Sequence, residues 1–165
     1  MSLVVVDEPR DRPEWIRETL EILAASLESG RGRLLAAVDA ASDVELAAGN
    51  DVDWGLGQVA LHLLIVERGV LTIALRLARG EPAGPTGQPR PAASAVTREG
   101  IASLAEKAAR SLERFRTEFP SEPDVGATAP SPYYGPLNCF GWLLTLPNHY
   151  AAHLGALAQR RPTAL

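Results

Sequence analysis

Apolar residues recur along this chain at spacings of three and four, in runs separated by stretches that break the period. The first run reads Ile16, Leu20, Leu23, Leu27, Gly30, Leu34, Val38, Ala41, and its phase passes through Gly30 and Gly32 unchanged. It predicts one long helix over about 12–41, weakened at the glycines, each of which costs about 1 kcal/mol relative to Ala. Two helices broken at that point are the alternative. Asp11 is a candidate cap, with Pro13 in the first turn and Glu14 near the positive end of the helix dipole. Ser42 followed by Glu45 is a capping-box signature for a short extra turn.

The second run, about 54–79, is apolar over most of its circumference, with Leu56, Val59, Leu61, Leu63, Leu64, Ile65, Val66, Val70, Leu71, Ile73, Leu75 and Leu77. Such a helix must be covered on several sides and should be the central packing element. Asp53 is its candidate cap. The third run, about 97–119, carries Ile101, Leu104, Ala108, Leu112, Phe115 and Phe119 on one face and charges on the other, and Pro120 ends it. The fourth, about 139–160, has Asn138 as a cap, with Arg160, Arg161 and Pro162 at its end.

The connections over 80–93 and 121–136 are rich in Pro and Gly and tolerate no regular element. Their length suits a crossover along the outside of a bundle. No strand pattern and no internal repeat compete. The expected architecture is an all-α four-helix bundle with long crossover connections, one domain over 1–165 with residues 1–11 as an N-terminal extension.

Composition narrows the function. The chain has 165 residues, 46% of them hydrophobic, and a formal net charge of −4. Its 16 Lys and Arg are scattered, so there is no electrostatic footprint for nucleic acid or an anionic membrane. One cysteine, Cys139, excludes an intrachain disulfide and fits a reducing compartment. The N-terminus lacks a basic region and a cleavage signal, and no segment reaches the roughly 18 uninterrupted apolar residues of a membrane span. A cytoplasmic protein with no membrane partner is expected.

The candidate chemistry lies in the histidines, of which there are three. His149 and His153 are four residues apart, which stacks them on one helix face. Trp142, Leu146 and Ala156 share that face. His62 lies on the inward face of the central helix with Gly69, flanked by Gln58, Val59, Ile65 and Val66. All three point into the bundle, where an unpaired imidazole is costly. Any one of them alone reads first as a core histidine bonded to a carbonyl, but the pair and the third ring together read as a three-His metal site. Three neutral nitrogens at about 2.0–2.1 Å leave a position open, as in catalytic rather than structural zinc sites. Zinc, nickel and iron(II) all accept imidazole.

Around the histidines, Gln58 and Thr145 each stand one turn before a histidine, placed either to orient a ligand or as buried polar groups. Cys139 is either a thiol of depressed pKa at a helix start or a buried inert one. Tyr133 and Tyr134 either line the mouth of the site or pack their loop. Trp15 and Trp54 read as core residues. Glu67 is about 140° around the helix from His62 and faces away, so no acid–base partner stands out. Pro147, two residues before His149, removes a helical hydrogen bond and clashes with the Leu143 carbonyl. The resulting kink either re-aims His149 or is simply tolerated.

The helix opened by Trp54 with His62 eight residues on, followed by Tyr134-Gly135-Pro136-Leu137-Asn138, Trp142 and His149-x3-His153, resembles the DinB-like/YfiT-like superfamily of four-helix-bundle metalloproteins. That resemblance implies a divalent metal held by His62, His149 and His153, and a homodimer. It further implies a small-molecule substrate and an activity such as S-transfer from bacillithiol or mycothiol, or mycothiol-dependent maleylpyruvate isomerisation, in which a metal-activated thiol attacks an electrophile at the mouth of the bundle. A metal-dependent hydrolase and a non-catalytic metal- or ligand-binding module are the alternatives.

Overall fold

The structure, a computed structural model, describes residues 12–160. The Asp11 cap, the N-terminal extension and the stop at Arg161 and Pro162 lie outside the described residues. Five helices and a small hairpin follow in the order α1 (Glu14–Ala40), α2 (Asp43–Ala47), α3 (Leu56–Ala78), α4 (Arg98–Glu118), β1 (Ala129–Ser131), β2 (Gly135–Leu137) and α5 (Cys139–Arg160). A short 3-10 turn, Ala93–Ala95, closes the long connection before α4.

α1 runs unbroken through both glycines. The reason is visible at Gly30, where a Cβ would stand 3.0 Å from Cγ of Tyr150. The glycine is spent on close approach of α1 to α5. At the other end of α1, Ser42 and Glu45 form the capping box expected of α2.

α3 is the centre of the bundle and touches each of the other long helices. By length and composition it alone among the described helices could cross a membrane, with a mean hydropathy of 1.6 over 18 residues, yet 78% of that window is buried in the bundle. The bundle itself accounts for its apolarity. Its start differs from expectation: Gly55, not Asp53, is the N-cap, and Gln58 Oε1 accepts from the Gly55 N–H at 3.3 Å. Asp53 is exposed.

Pairwise contacts fix the directions of the helices. The end of α4 meets the start of α1, where Arg12 donates to the Arg116 and Thr117 carbonyls at 2.5 and 2.7 Å. The ends of α3 and α4 meet through Arg79 and Glu118 at 2.8 Å. The starts of α1 and α5 meet through Trp15 and Phe140, with ring centroids 5.6 Å apart. So α1 and α5 run one way and α3 and α4 the other. The parallel pair α3–α4 requires the crossover over residues 80–97, as the long connection predicted.

Two expectations are corrected here. The connection before α5 holds an antiparallel hairpin, pairing Ala129 with Leu137 and Ser131 with Gly135. Three-residue strands containing prolines carry no alternation that a sequence pattern can show. Trp15, expected in the core, is 55% exposed.

Candidate metal centre

His62 leaves α3 one turn after Gln58, and the crossover runs beside this part of the helix in the opposite direction. Gln58 Nε2 donates to the Pro91 carbonyl at 3.0 Å, and the Pro89 carbonyl lies 2.8 Å from His62 Nδ1. The four residues from Gln58 to His62 advance about 6 Å along the helix, and two residues of extended proline-rich chain advance about 6.2 Å. The carbonyls of Pro89 and Pro91 therefore register with side chains one turn apart. A carbonyl only accepts, so His62 Nδ1 carries the proton and its Nε2 presents a lone pair.

That Nε2 faces His149 Nε2 at 2.9 Å. The ring centroids of His149 and His153 are 4.7 Å apart, and each is 5.0 Å from His62. One ligating nitrogen from each ring falls within 4.8 Å of the others. Pro147 lies inside α5, which continues as one helix on both sides of it. The missing hydrogen bond to Leu143 does not break the element that carries the pair.

Burial holds all three rings below the usual histidine range. For His62 the Arg90 charge adds to burial, against the Pro89 hydrogen bond. For His149, burial and then the neighbouring His153 and His62 bring the pKa down to about 4. For His153 burial leads, followed by His62. The cluster is neutral at pH 7 and offers three nitrogen lone pairs. A borderline divalent metal fits this donor set, and three ligands leave it an open position. No acidic side chain joins the cluster among the described residues.

Two cavities flank the histidines, and His153 borders both. One, about 270 Å³, is lined by Trp54, Arg90, His153 and Arg160 with apolar neighbours. The other, about 410 Å³, is lined by Tyr133, Tyr134, Trp142, Thr145 and His149 among others. An apolar groove of about 330 Å³ shares Val66, Val70, Gln88 and Trp142 with the second. Trp142 is buried, and its indole N–H has no hydrogen-bond partner among the described residues. It is an unsatisfied donor in the wall of the site.

The other candidates separate cleanly. Thr145 lines the second cavity, its hydroxyl donating to the Trp142 carbonyl at 2.7 Å. Tyr133 and Tyr134 stand exposed at the hairpin turn, at that cavity's mouth. Trp54, expected in the core, is half-buried, with its ring 5.0 Å from His62, and walls the first cavity. Cys139 is fully buried, and burial pushes its thiol up, so it is the inert thiol rather than an activated one.

Gln58 is buried beside the site, but its amide is spent on backbone: Gly55 N–H, and the Asn50 and Pro91 carbonyls. Gln58→Leu removes all three hydrogen bonds, at a net cost of about 0.5–1.5 kcal/mol each. It should lower Tm by roughly 5–10 °C while leaving metal content unchanged. Lost metal at an unchanged Tm would return Gln58 to the site.

Sequence reasoning missed the crossover backbone as the partner of His62, and it missed a buried polar network behind the site. Glu67 is fully buried, hydrogen-bonded by Arg31 and, at 2.6 Å, by the Tyr150 hydroxyl. Burial raises the Glu67 carboxyl, opposed by Tyr150 and Arg31, and burial raises the Tyr150 hydroxyl as well. One signal existed: an acid on a helix apolar nearly all round needs a buried partner.

A family model described as the DinB superfamily matches residues 26–157, a span that includes all three histidines. The crystal structure of TT2238, a four-helix bundle protein, is similar with a TM-score of 0.65 and 27% identity, covering 85% of this chain and 98% of that one. The comparison with curated proteins found no match.

Proposed function

The chain belongs to the DinB superfamily, and from that premise we propose a metal-dependent S-transferase that activates a low-molecular-weight thiol of the bacillithiol or mycothiol type. The observation that carries the reading is the convergence of His62, His149 and His153 beside two open cavities. These three residues are the proposed ligands, for zinc, nickel or iron(II). When bound, the metal supplies Lewis-acid chemistry, lowering the pKa of a thiol at its open position.

The chain's own residues supply the rest. The Pro89 carbonyl fixes the His62 tautomer and ring, as partners of metal-bound imidazoles commonly do. Trp142 and the tyrosines of the hairpin turn bound the larger cavity, where an electrophile is oriented. The unpaired Trp142 N–H is the natural donor to an acceptor on that molecule.

Absence of a carboxylate from the cluster disfavours a hydrolase. The one fully buried carboxylate among the described residues, Glu67, is committed to Arg31 and Tyr150. Among the described residues no carboxylate stands with the histidines to serve a water-activating mechanism as general base. A homodimer remains part of the proposal, favoured by the exposed apolar side chains Trp15, Ile22 and Leu144 on the adjacent helices α1 and α5.

The test is metal analysis of untagged protein purified without chelator, followed by thiol-transfer assays on metal-loaded and metal-stripped samples. One metal per chain and thiol consumption above the stripped background are expected. Stoichiometric metal without thiol transfer would reject the transferase. Sub-stoichiometric metal, with no thermal shift on adding zinc, nickel or iron(II), would instead indicate a non-catalytic module.

A further inference from the structure

We propose that the cavity between Trp54 and the C-terminal turn of α5 is a subsite for a carboxylate, so that the molecule delivered to the histidines is a small organic acid. The inference deepens the proposed function and rests on it for the role of the subsite, though not for its existence.

Two guanidinium groups, Arg90 and Arg160, line this cavity together with His153, and among the described residues no acidic side chain lines it. They come from elements far apart in sequence: Arg90 from the crossover, Arg160 from the last turn of α5. Trp54 gathers both. The Arg90 guanidinium lies 5.3 Å from the Trp54 ring centre, the geometry of a cation–π contact. Its Nη2 donates to the Asp51 carbonyl at 3.2 Å. Arg160 Nη1 donates to the Trp54 carbonyl at 3.1 Å.

These contacts hold the two heads but do not exhaust them. Each guanidinium has five N–H donors, and the observed hydrogen bonds use one from each. Among the described residues the carboxylate paired with Arg160 is Asp53, at 3.8 Å from Nη2 and 80% exposed, a loose tether in water. Among the described residues no carboxylate pairs with Arg90, whose charge is felt at His62. Two exposed positive heads with spare donors, beside an aromatic wall and an imidazole, offer an anion a place to bind.

The histidine set points the same way. Three neutral ligands leave the charge of a divalent ion uncompensated by protein. An anion entering beside His153 is drawn by that charge and by both arginines. A planar carboxylate matches the fork of a guanidinium with two parallel N–H···O bonds. The cavity, about 270 Å³, is at the small end of ligand pockets, which favours a short acid over a large one. The opposite cavity, bounded by Trp142 and the hairpin tyrosines, is then left for the second reactant.

The test titrates zinc-loaded wild-type protein by calorimetry with succinate, inorganic phosphate and uncharged succinamide, in parallel with Arg90→Ala/Arg160→Ala and His149→Ala. Succinate should bind, succinamide should not, and the double arginine variant should weaken succinate at least about tenfold with zinc content unchanged. Equal succinate affinity in wild type and the arginine variant overturns the subsite. So does succinamide binding as well as succinate. Phosphate binding tighter than succinate overturns the assignment to a carboxylate. His149→Ala separates this inference from the function it rests on. Succinate binding that needs the arginines but survives in His149→Ala supports the subsite, even if the wild-type protein fails as a thiol transferase.

Discussion

Zinc at a thousand times its Kd should raise the Tm of the wild-type protein by about 8–16 °C, and that of His149→Ala at the same zinc concentration by only about 3–6 °C. A ligand that binds the folded state alone stabilises it by RT ln(1 + [L]/Kd), about 4.1 kcal/mol at a thousandfold excess. Loss of a group that merely orients a ligand costs 10–100-fold in metal affinity, so loss of a ligand itself should cost at least about 100-fold. The remaining stabilisation is then about 1.4 kcal/mol. For a chain of this size each kcal/mol moves Tm by about 2–4 °C.

His149 is the informative position because, among the described residues, its ring makes no hydrogen bond except the 2.9 Å approach to His62. His149→Ala should therefore leave the metal-free Tm nearly unchanged. His62→Ala mixes two effects, since it also strands the Pro89 carbonyl. His153→Ala should follow His149→Ala. Identical zinc-induced shifts in wild type and both variants would mean that the histidines do not bind the metal together.

The histidine face was legible because it is a matter of helical phase. His149, His153 and Trp142 share a face whatever α5 packs against, and an apolar helix carrying His62 has to be central. Element ends followed from the same logic where the signal is local. Asn138 accepts from the Gly141 N–H at 2.9 Å as a cap, and α5 starts directly after it at Cys139. Asp53 failed as a cap because Gln58, an inward residue, reaches back to the Gly55 N–H.

What was not legible depends on chain far away in sequence. Gln58 reads as a buried amide or as a site residue until Pro91 is known to lie beside it. Trp54 reads as core until Arg90 is placed over it, and the arginine pair does not exist until the crossover meets the end of α5. The hairpin escaped because strands of three residues give no period. Arg31 shows the limit most plainly. It lies between Gly30 and Gly32 on a helix rich in surface charge, yet it is buried. Its partners are 36 residues away in α3 and, through Glu67, in α5.

That network yields the second large effect. Glu67→Leu alone should cost about 3–5 kcal/mol, lowering Tm by about 6–20 °C, whereas Arg31→Met/Glu67→Leu/Tyr150→Phe should melt at or above the wild-type temperature. Removing Glu67 leaves the Arg31 guanidinium buried without its counter-charge and the Tyr150 hydroxyl without its acceptor. Removing all three also removes the desolvation cost, and replacing a buried ion pair by packed apolar groups is often neutral or stabilising by 1–4 kcal/mol.

Stability is then not what the network provides. It ties α1, α3 and α5 together at one level, and Tyr150 is the residue after His149. Its ring packs against Gly30 so closely that a Cβ there would stand 3.0 Å from Cγ, tighter than ordinary packing. The hydrogen bond from Tyr150 to Glu67 of α3 is expected to set the rotation of α5, and with it the aim of His149 at His62. The triple variant should accordingly fold well but bind zinc about 10–100-fold more weakly than wild type, as when a group that orients a ligand is lost. Denaturant melts and zinc titrations on the single and triple variants measure both quantities. A triple variant as unstable as Glu67→Leu would make the network a net source of stability. A triple variant that is stable and binds zinc like wild type would show that packing alone fixes the rotation of α5.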